Sequence, residues 1–397
     1  LFVAFFDLML IPFYFLVGSW GTGERVRATI KMVIYTMVGS FLMLAGAVAT
    51  GVIAAGDHGT AINFTFSALR HLPLSRRDED WIFLAFALAF LVKMPIAPFH
   101  GWMADAYKSM PIPAVAVFSG VVAKVASYGF LQIALPLFPH AARHFQLLML
   151  LICVVSIMWG TAMAFTTNDS RMVIAYSSVA QMGFITLGIF SLQPQGGQGA
   201  LLQMLNHGIV IAAGFFIVAS LAARAGGSED IRDMGGIAFR APVLATLFVI
   251  ITFANLAMPG SSNFIGEFMI LLGTFEAHMP IALVTSVAVV GAAFYALRLF
   301  IRAMHNRVGG GVRSVEVRAS EAVALVPLCL IILALAFFPQ FGLSKSETSM
   351  RVALYPAAQA ASTAPYALPG ATAYLSGGAG QAGRHGHDSV KIVKVSP

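Results

Sequence analysis

Charge is scarce in this sequence. Of its 397 residues only 10% are Asp, Glu, Lys or Arg, while 58% are hydrophobic, and the mean hydropathy is +0.83. A water-soluble domain carries roughly 25% charged residues. A chain with so few has lost most of the surface that faces water, and lipid is its natural solvent. Cysteine is scarcer still. Cys153 and Cys329 are the only two; both lie in apolar runs, with neither metal-site spacing nor a disulfide framework, and read as small hydrophobes. An initial Met is missing as well: the chain opens on Leu1-Phe2-Val3, already inside an apolar stretch. No leader peptide can be judged from such a start, and the N-terminus is expected to be truncated. The net charge of +7 would suggest nucleic acid in a soluble protein. Here the basic residues sit in short loops between apolar runs, where they set membrane orientation. Nucleic acid is therefore not an expected partner; the lipid bilayer is.

About ten segments reach the roughly 20 residues needed to span a bilayer. They cover 1–19, 29–54, 80–99, 112–137, 146–166, 172–192, 199–223, 241–269, 281–303 and 320–340. The fold class this implies is all-α, a polytopic transmembrane helix bundle. Lys and Arg are in excess in the loops after the first, third, fifth, seventh and ninth spans, which places those loops in the cytoplasm and both chain ends outside. The transmembrane domain is expected to run over 1–342. From 343 to 397 the composition turns to Ala, Gly, Ser and Pro, which cannot bury enough apolar surface to fold, so disorder is expected there. His385 and His387 in that tail read as solvated. The tail stretch Gly377 to Gly383 matches a dinucleotide fingerprint loosely, but no strand precedes it and no helical pattern follows, so it carries nothing.

The informative residues are ionisable ones inside apolar segments: Asp7, Lys93, Lys124 and Glu267. A charge at a helix centre costs about 2.5–3.5 kcal/mol, so four left in lipid would oppose insertion by roughly 10 kcal/mol. They are expected to face the bundle interior, paired or hydrated. For Asp7 near a chain end, snorkelling to the interface is the competing reading, and a static Asp7–Lys93 ion pair is another. Lys124 has apolar or small neighbours for about two turns on either side, which argues against snorkelling. A buried lysine whose carboxylate partner approaches and recedes acts as a proton switch. Arginine could not replace it, because Arg does not release its proton.

Two of these segments carry helix breakers. Pro95 and Pro98 follow Lys93, while Pro259 and Gly260, then Ser261, Ser262 and Asn263, precede Glu267. Proline removes a donor and clashes with the preceding turn, and backbone freed at membrane depth is tolerated only inside protein or beside a water cavity. Two Pro-interrupted helices, one in each half, point to inverted repeats around a midplane ion site. His207, beside Asn206, is either a relay or a structural hydrogen-bonding group. His100, two residues past Pro98, either lines a secondary proton path or caps an interfacial turn.

The motifs FFDLMLIPF at 5–13, KMPIAPFHGW at 93–102, AYSSVAQMGF at 175–184, QMLNHG at 203–208 and MPGSSNFIGEF at 258–268 together resemble the antiporter-like membrane subunits of respiratory complex I. The resemblance runs from Leu1 to about Pro339. The family pattern has fourteen transmembrane helices, of which this chain would supply the last ten. The resemblance implies a proton relay of Asp7, Lys93, Lys124, His207 and Glu267, driven by quinone reduction elsewhere in the complex. Glu267 falls at a terminal acidic site where the related chains L and N, and Mrp-type antiporters, usually have Lys. Two positions depart from the pattern: Asp7 stands for the usual Glu, and Gln181 for a common His, so a proton passing Gln181 would use water. The loop Met103 to Pro111 also drifts from the family's usual run.

No cofactor is expected in this chain, which lacks a ligand set for flavin, iron–sulfur or haem. NADH, FMN, iron–sulfur clusters and quinone are expected in partner subunits, and chains L and N with small membrane subunits are the expected partners. The competing readings are a subunit of a Mrp-type cation/proton antiporter or of a membrane-bound hydrogenase, and a non-pumping scaffold.

Overall fold

The computed structural model describes residues 1–58, 62, 64–70, 74–308 and 310–362. His71, His385, His387 and the glycine-rich stretch from Gly377 lie outside the described residues. Those described form helices and loops, with one isolated bridge between Asp169 and Asp230. Apart from the short helices Phe66–Leu69, Leu135–Leu137 and Pro139–His144, the α-helices in chain order are α1 (Phe2–Leu8), α2 (Leu10–Gly18), α3 (Arg25–His58), α4 (Arg76–Lys93), α5 (Met103–Ser109), α6 (Ile112–Val117) and α7 (Ala123–Gly129). They continue with α8 (Gln146–Thr166), α9 (Ser170–Phe190), α10 (Pro194–Arg224), α11 (Pro242–Asn255), α12 (Ser262–Ala277), α13 (Met279–Met304), α14 (Ala319–Phe337) and α15 (Gln340–Ser362). One π-turn, Phe118–Val122, joins α6 to α7, and a second, Phe130–Ala134, follows α7.

Seven of the described helical stretches are long and apolar enough to cross a membrane. The three other spans expected from hydropathy are those the chain interrupts. Residues 1–19 divide at Met9, residues 80–99 stop being helical at Lys93, and residues 241–269 divide into α11 and α12. The second and third interruptions fall where proline removes donors, and at both the backbone finds substitute partners. Past Lys93, the Ala97 N–H donates to Ser156 Oγ of α8 at 3.2 Å, and Trp102 Nε1 donates to Val92 O at 3.0 Å. At the end of α11 the Met258 N–H reaches Phe253 O at 3.0 Å and the Ala257 N–H reaches Ala254 O at 3.2 Å. This is a Schellman closure. It puts Ala257 at φ 51°, the left-handed region that usually belongs to glycine, and Gly260 follows at φ 91°.

Helices approach closely through glycine. A Cβ on Gly160 of α8 would stand 2.6 Å from Ala180 N of α9, and one on Gly183 of α9 would stand 2.8 Å from Ile157 Cγ1. Small residues serve this purpose where lipid offers no hydrophobic drive to associate. At the loop ends, Arg224 is buried and ties the end of α10 to the loop before α14 and to the first turn of α14. It donates to both Glu321 oxygens at 2.8 and 2.9 Å and to the carbonyls of Ser220, Val315 and Glu316. Burial works against ionisation of Glu316 there, but the N–H groups of Val243, Val317 and Leu244 and the Arg224 guanidinium outweigh it and hold the carboxyl below its usual range.

The disorder expected from residue 343 is corrected for its first part. α15 is a helix whose buried Met350, Ala353, Leu354 and Ala357 share one face at i, i+3, i+4, i+7 spacing. It seats on Gly197 of α10, where a Cβ would stand 2.4 Å from Leu354. The Ala- and Ser-rich composition dilutes this stripe in any average, while Lys345, Glu347 and Arg351 stay exposed. Residues 363–397 lie outside the described residues.

Ser156 joins the Lys93 break to α8 and α9 through the backbone, since it also donates to Val179 O at 3.2 Å. Replacing it by Ala leaves the buried Ala97 N–H without that partner, which costs about 1–3 kcal/mol. Ser156→Ala is expected to lower the thermal unfolding midpoint of the purified protein; an unchanged midpoint would mean that the break is satisfied some other way.

Candidate functional site

The apolar interior is divided in two. One core gathers the Met172–Val179 part of α9 and the Val210–Leu221 part of α10 with α5, α6 and α11. The other gathers the Met182–Phe190 part of α9 and Ala200 and Met204 of α10 with α4 and α8. At the seam between them lie Lys93, Ser119, Lys124, Ser178, Gln181, Gln203, Asn206, His207 and Glu267, all buried. Lys93 is 2% exposed, Lys124 7%, His207 0% and Glu267 4%, so snorkelling is excluded for each of them. Charges that lipid would penalise are collected into one interior layer.

Lys93 is the last residue of α4, where Pro95 ends the helix. Its Nζ donates to Phe6 O at 3.0 Å and sits 4.7 Å from the centroid of the Phe6 ring. Asp7, the next residue of α1, is half-buried. Its charge acts on Lys93, yet the two form no direct ion pair and Asp7 Oδ1 is buried without a hydrogen-bond partner. A side chain one methylene shorter than Glu stops short, and Lys93 takes the neighbouring carbonyl instead.

Lys124 opens α7, just past the π-turn. Its Nζ donates to Ser119 O at 2.5 Å. A π-turn shifts backbone bonding from i→i+4 to i→i+5 and is frequent at functional sites; here it exposes to the lysine a carbonyl of its own helix. Ser119 Oγ lies 3.1 Å from Ser178 Oγ of α9, which lies 3.4 Å from His207 Nε2 of α10. Lys124 and His207 also act on each other electrostatically. A line of polar atoms thus runs from Lys124 through two serines to His207.

Glu267 lies in the second turn of α12, just after the α11–α12 break. Gln181 Nε2 donates to its Oε1 at 2.5 Å, and Gln203 Nε2 donates to Gln181 Oε1 at 2.8 Å and to Glu267 Oε1 at 3.4 Å. Gln181 therefore belongs to the Glu267 end of the layer and holds its carboxylate. Around the break, the buried atoms Asn206 Oδ1, Asn255 Oδ1, Ser261 Oγ, Ser262 Oγ and both side-chain polar atoms of Asn263 have no hydrogen-bond partner. Asn206 Nδ2 holds the start of α12 through Ser262 O at 2.6 Å.

His100 stands apart from this layer. Its Nε2 accepts from Trp159 Nε1 at 2.9 Å, on the lipid-facing side of α8, and its Nδ1 is buried without a partner. Among the described residues no three His, Cys, Asp or Glu side chains gather into a metal-sized group.

Sequence reading missed the residues that join the ionisable ones. Ser119, Ser178 and Gln203 bridge them, Tyr107 faces Ser119, and Tyr295 faces Ser177 and Glu267, although neither tyrosine hydroxyl closes a hydrogen bond. The available signal was a polar residue recurring on one face of an apolar helix: Ser178 and Gln181 are three apart on α9, and Gln203 and His207 four apart on α10.

Residues 1–293 match the family described as NADH:quinone oxidoreductase/Mrp antiporter, TM. Among curated relatives, the NADH-quinone oxidoreductase subunit M of Rickettsia typhi is 34% identical over 347 residues, covering 85% of this chain and 68% of that protein. The subunit M of Escherichia coli is 34% identical over 358 residues, covering 88% and 70%. Among solved structures, a chain of respiratory complex I from Thermus thermophilus superposes with a TM-score of 0.84 at 29% identity, over 90% of this chain and 74% of that one. A chain of the Mrp complex from a Dietzia species shares the fold, with a TM-score of 0.77 at 22% identity over 89% and 74%. The chain belongs to the family of transmembrane subunits shared by NADH:quinone oxidoreductases and Mrp antiporters.

Proposed function

We propose that this chain is the M-type membrane subunit of an NADH-quinone oxidoreductase in a bacterial inner membrane, and that it translocates protons along the buried layer. One observation carries the reading: the ionisable residues on α4, α7, α10 and α12 are all buried, Lys124 rests on the carbonyl of Ser119, whose hydroxyl leads through Ser178 to His207, and Glu267 is held by two glutamines. Identity to the subunits M above supports the choice of complex. Redox chemistry then belongs to partner subunits, which hold NADH, FMN, iron–sulfur clusters and quinone. Chains L and N and small membrane subunits are the partners.

The mechanism follows from what each residue is able to do. Asp7 and Lys93 are close enough to interact but are not paired, so a change in a neighbouring subunit that moves the carboxylate changes the charge Lys93 favours. A proton leaving Lys93 passes to Lys124, the next amine of the layer. Cations on Lys124 and His207 oppose each other, so a proton arriving at Lys124 favours release of one toward His207. The amine rests on Ser119 O, so the proton leaves it by a water and then follows the Ser119 and Ser178 hydroxyls. Serine hydroxyls both donate and accept, which lets them hand a proton on without holding a charge. Glu267 receives it at the far end. The unpartnered amide and hydroxyl oxygens around Asn255, Ser261 and Asn263 supply the polar lining that water needs in an otherwise apolar interior. His100, held by Trp159 at the bundle edge, serves a secondary path at most.

In the assembled oxidoreductase, Lys124→Ala is expected to leave NADH oxidation measurable while the protons translocated per electron fall several-fold. Full pumping in that variant would sink the relay. Asp7→Glu is expected to keep pumping, because the longer carboxylate reaches Lys93, whereas Asp7→Asn should impair it. Equal pumping in both would show that the carboxylate is not a switch.

A further inference from the structure

Lys124 faces two ways. Its amine is wedged into the polar layer, but its helix face is open to the outside of the bundle. Val117, Val121 and Tyr128 lie on the same face and are exposed, as is Leu205 of α10 across from them. Between α6–α7 and α10 runs a groove of about 680 Å³, within the range of small-molecule sites. α14 and the start of α15 close it with Leu328 and Ser346. From Val117 to Tyr128 the groove follows about 16 Å of helix. Its lining is aliphatic and aromatic, with Lys124 the one charged side chain among the residues that form it.

The proton layer accounts for a lysine in the interior. It does not account for an apolar slot leading from the lipid face to that lysine. Nor is the charge satisfied there by an acid: among the described residues Lys124 has a carbonyl as its hydrogen-bond acceptor and forms no ion pair. An apolar slot whose one ionisable lining residue is an amine without an acid partner fits an apolar chain ending in an acid. We propose that the groove binds a single-chain amphiphile with a carboxyl headgroup, a long-chain fatty acid, whose chain lies between Val121 and Leu205 and whose carboxyl group meets the Lys124 amine. The acid enters from lipid in its neutral form, since a free carboxylate in hydrocarbon is costly. Where the amine is unprotonated, the carboxyl proton moves to it, leaving a carboxylate–ammonium pair and no other product. A consequence rests on the relay reading above: with its amine held by a carboxylate, Lys124 stops exchanging protons and translocation slows.

The test uses the assembled complex in phospholipid nanodiscs and palmitic acid carrying a photoactivatable diazirine, with the labelled residues mapped by mass spectrometry. Label is expected within 117–128 and 201–212. Excess palmitic acid should remove it and excess methyl palmitate should not. Val117→Trp, which fills the groove from its exposed side outside the π-turn, should cut labelling at least tenfold while leaving NADH oxidation and basal pumping unchanged. Competition by methyl palmitate equal to that by the acid would overturn the role of Lys124. Labelling of the isolated chain but not of the complex would assign the groove to a partner's transmembrane helix and overturn the proposal. Failure of the relay is read separately: correct labelling with no effect of palmitic acid on pumping keeps the site and removes the consequence.

Discussion

The cost of an ion in hydrocarbon governs the whole molecule. Each charged side chain at membrane depth has to be taken out of lipid, and in this chain Lys93, Lys124, His207 and Glu267 are taken into one layer that splits the apolar core. The flanking cores are large and aromatic; Phe90, for example, stacks edge-on with Phe6, Phe86 and Phe130. They flank the layer on both sides. Charge at the loop ends is handled in another way, by knots such as Arg224 with Glu321, where the guanidinium also satisfies the carbonyls of Ser220, Val315 and Glu316.

Such a layer requires a backbone that gives way to it. Both interruptions, past Lys93 and between α11 and α12, stand next to an ionisable residue; the first takes Ser156 of α8 as a partner, and the second closes back on the last carbonyls of α11. The π-turn before Lys124 does the same on a smaller scale, offering Ser119 O to the amine. Left-handed Ala257 is a further sign that local comfort is given up here. Strain of that kind persists where the surroundings over-determine it.

The membrane spans and the ionisable positions were legible in the sequence, because a charge inside an apolar run has a plain energetic meaning. Lys124 needed no structure to be placed in the interior, and Pro95 and Pro259 announced the breaks beside Lys93 and Glu267. What escaped was connectivity. Ser119, Ser178 and Gln203 are unremarkable as single residues, since a serine in a helix often only bonds its own backbone; only packing shows that they bridge titratable groups. Gln181 read as a gap in the relay, and the fold makes it the donor that holds Glu267. For Asp7 and Lys93 a static ion pair was one of the readings the residues left open, and the ammonium takes Phe6 O instead. α15 was hidden because its apolar stripe is narrow and its average composition resembles a disordered tail.

On the proposed function the layer works as one conductor from Asp7 to Glu267. It is tested most directly at the far end, where Glu267 is held by Gln181 and Gln203. Glu267→Gln keeps the shape and the possibility of hydrogen bonds there while removing a group that takes up and releases a proton. Protons translocated per NADH oxidised, measured in the assembled complex carrying this variant, should fall to the level of the Lys124 variant. Translocation equal to that of the unmodified complex would contradict the account.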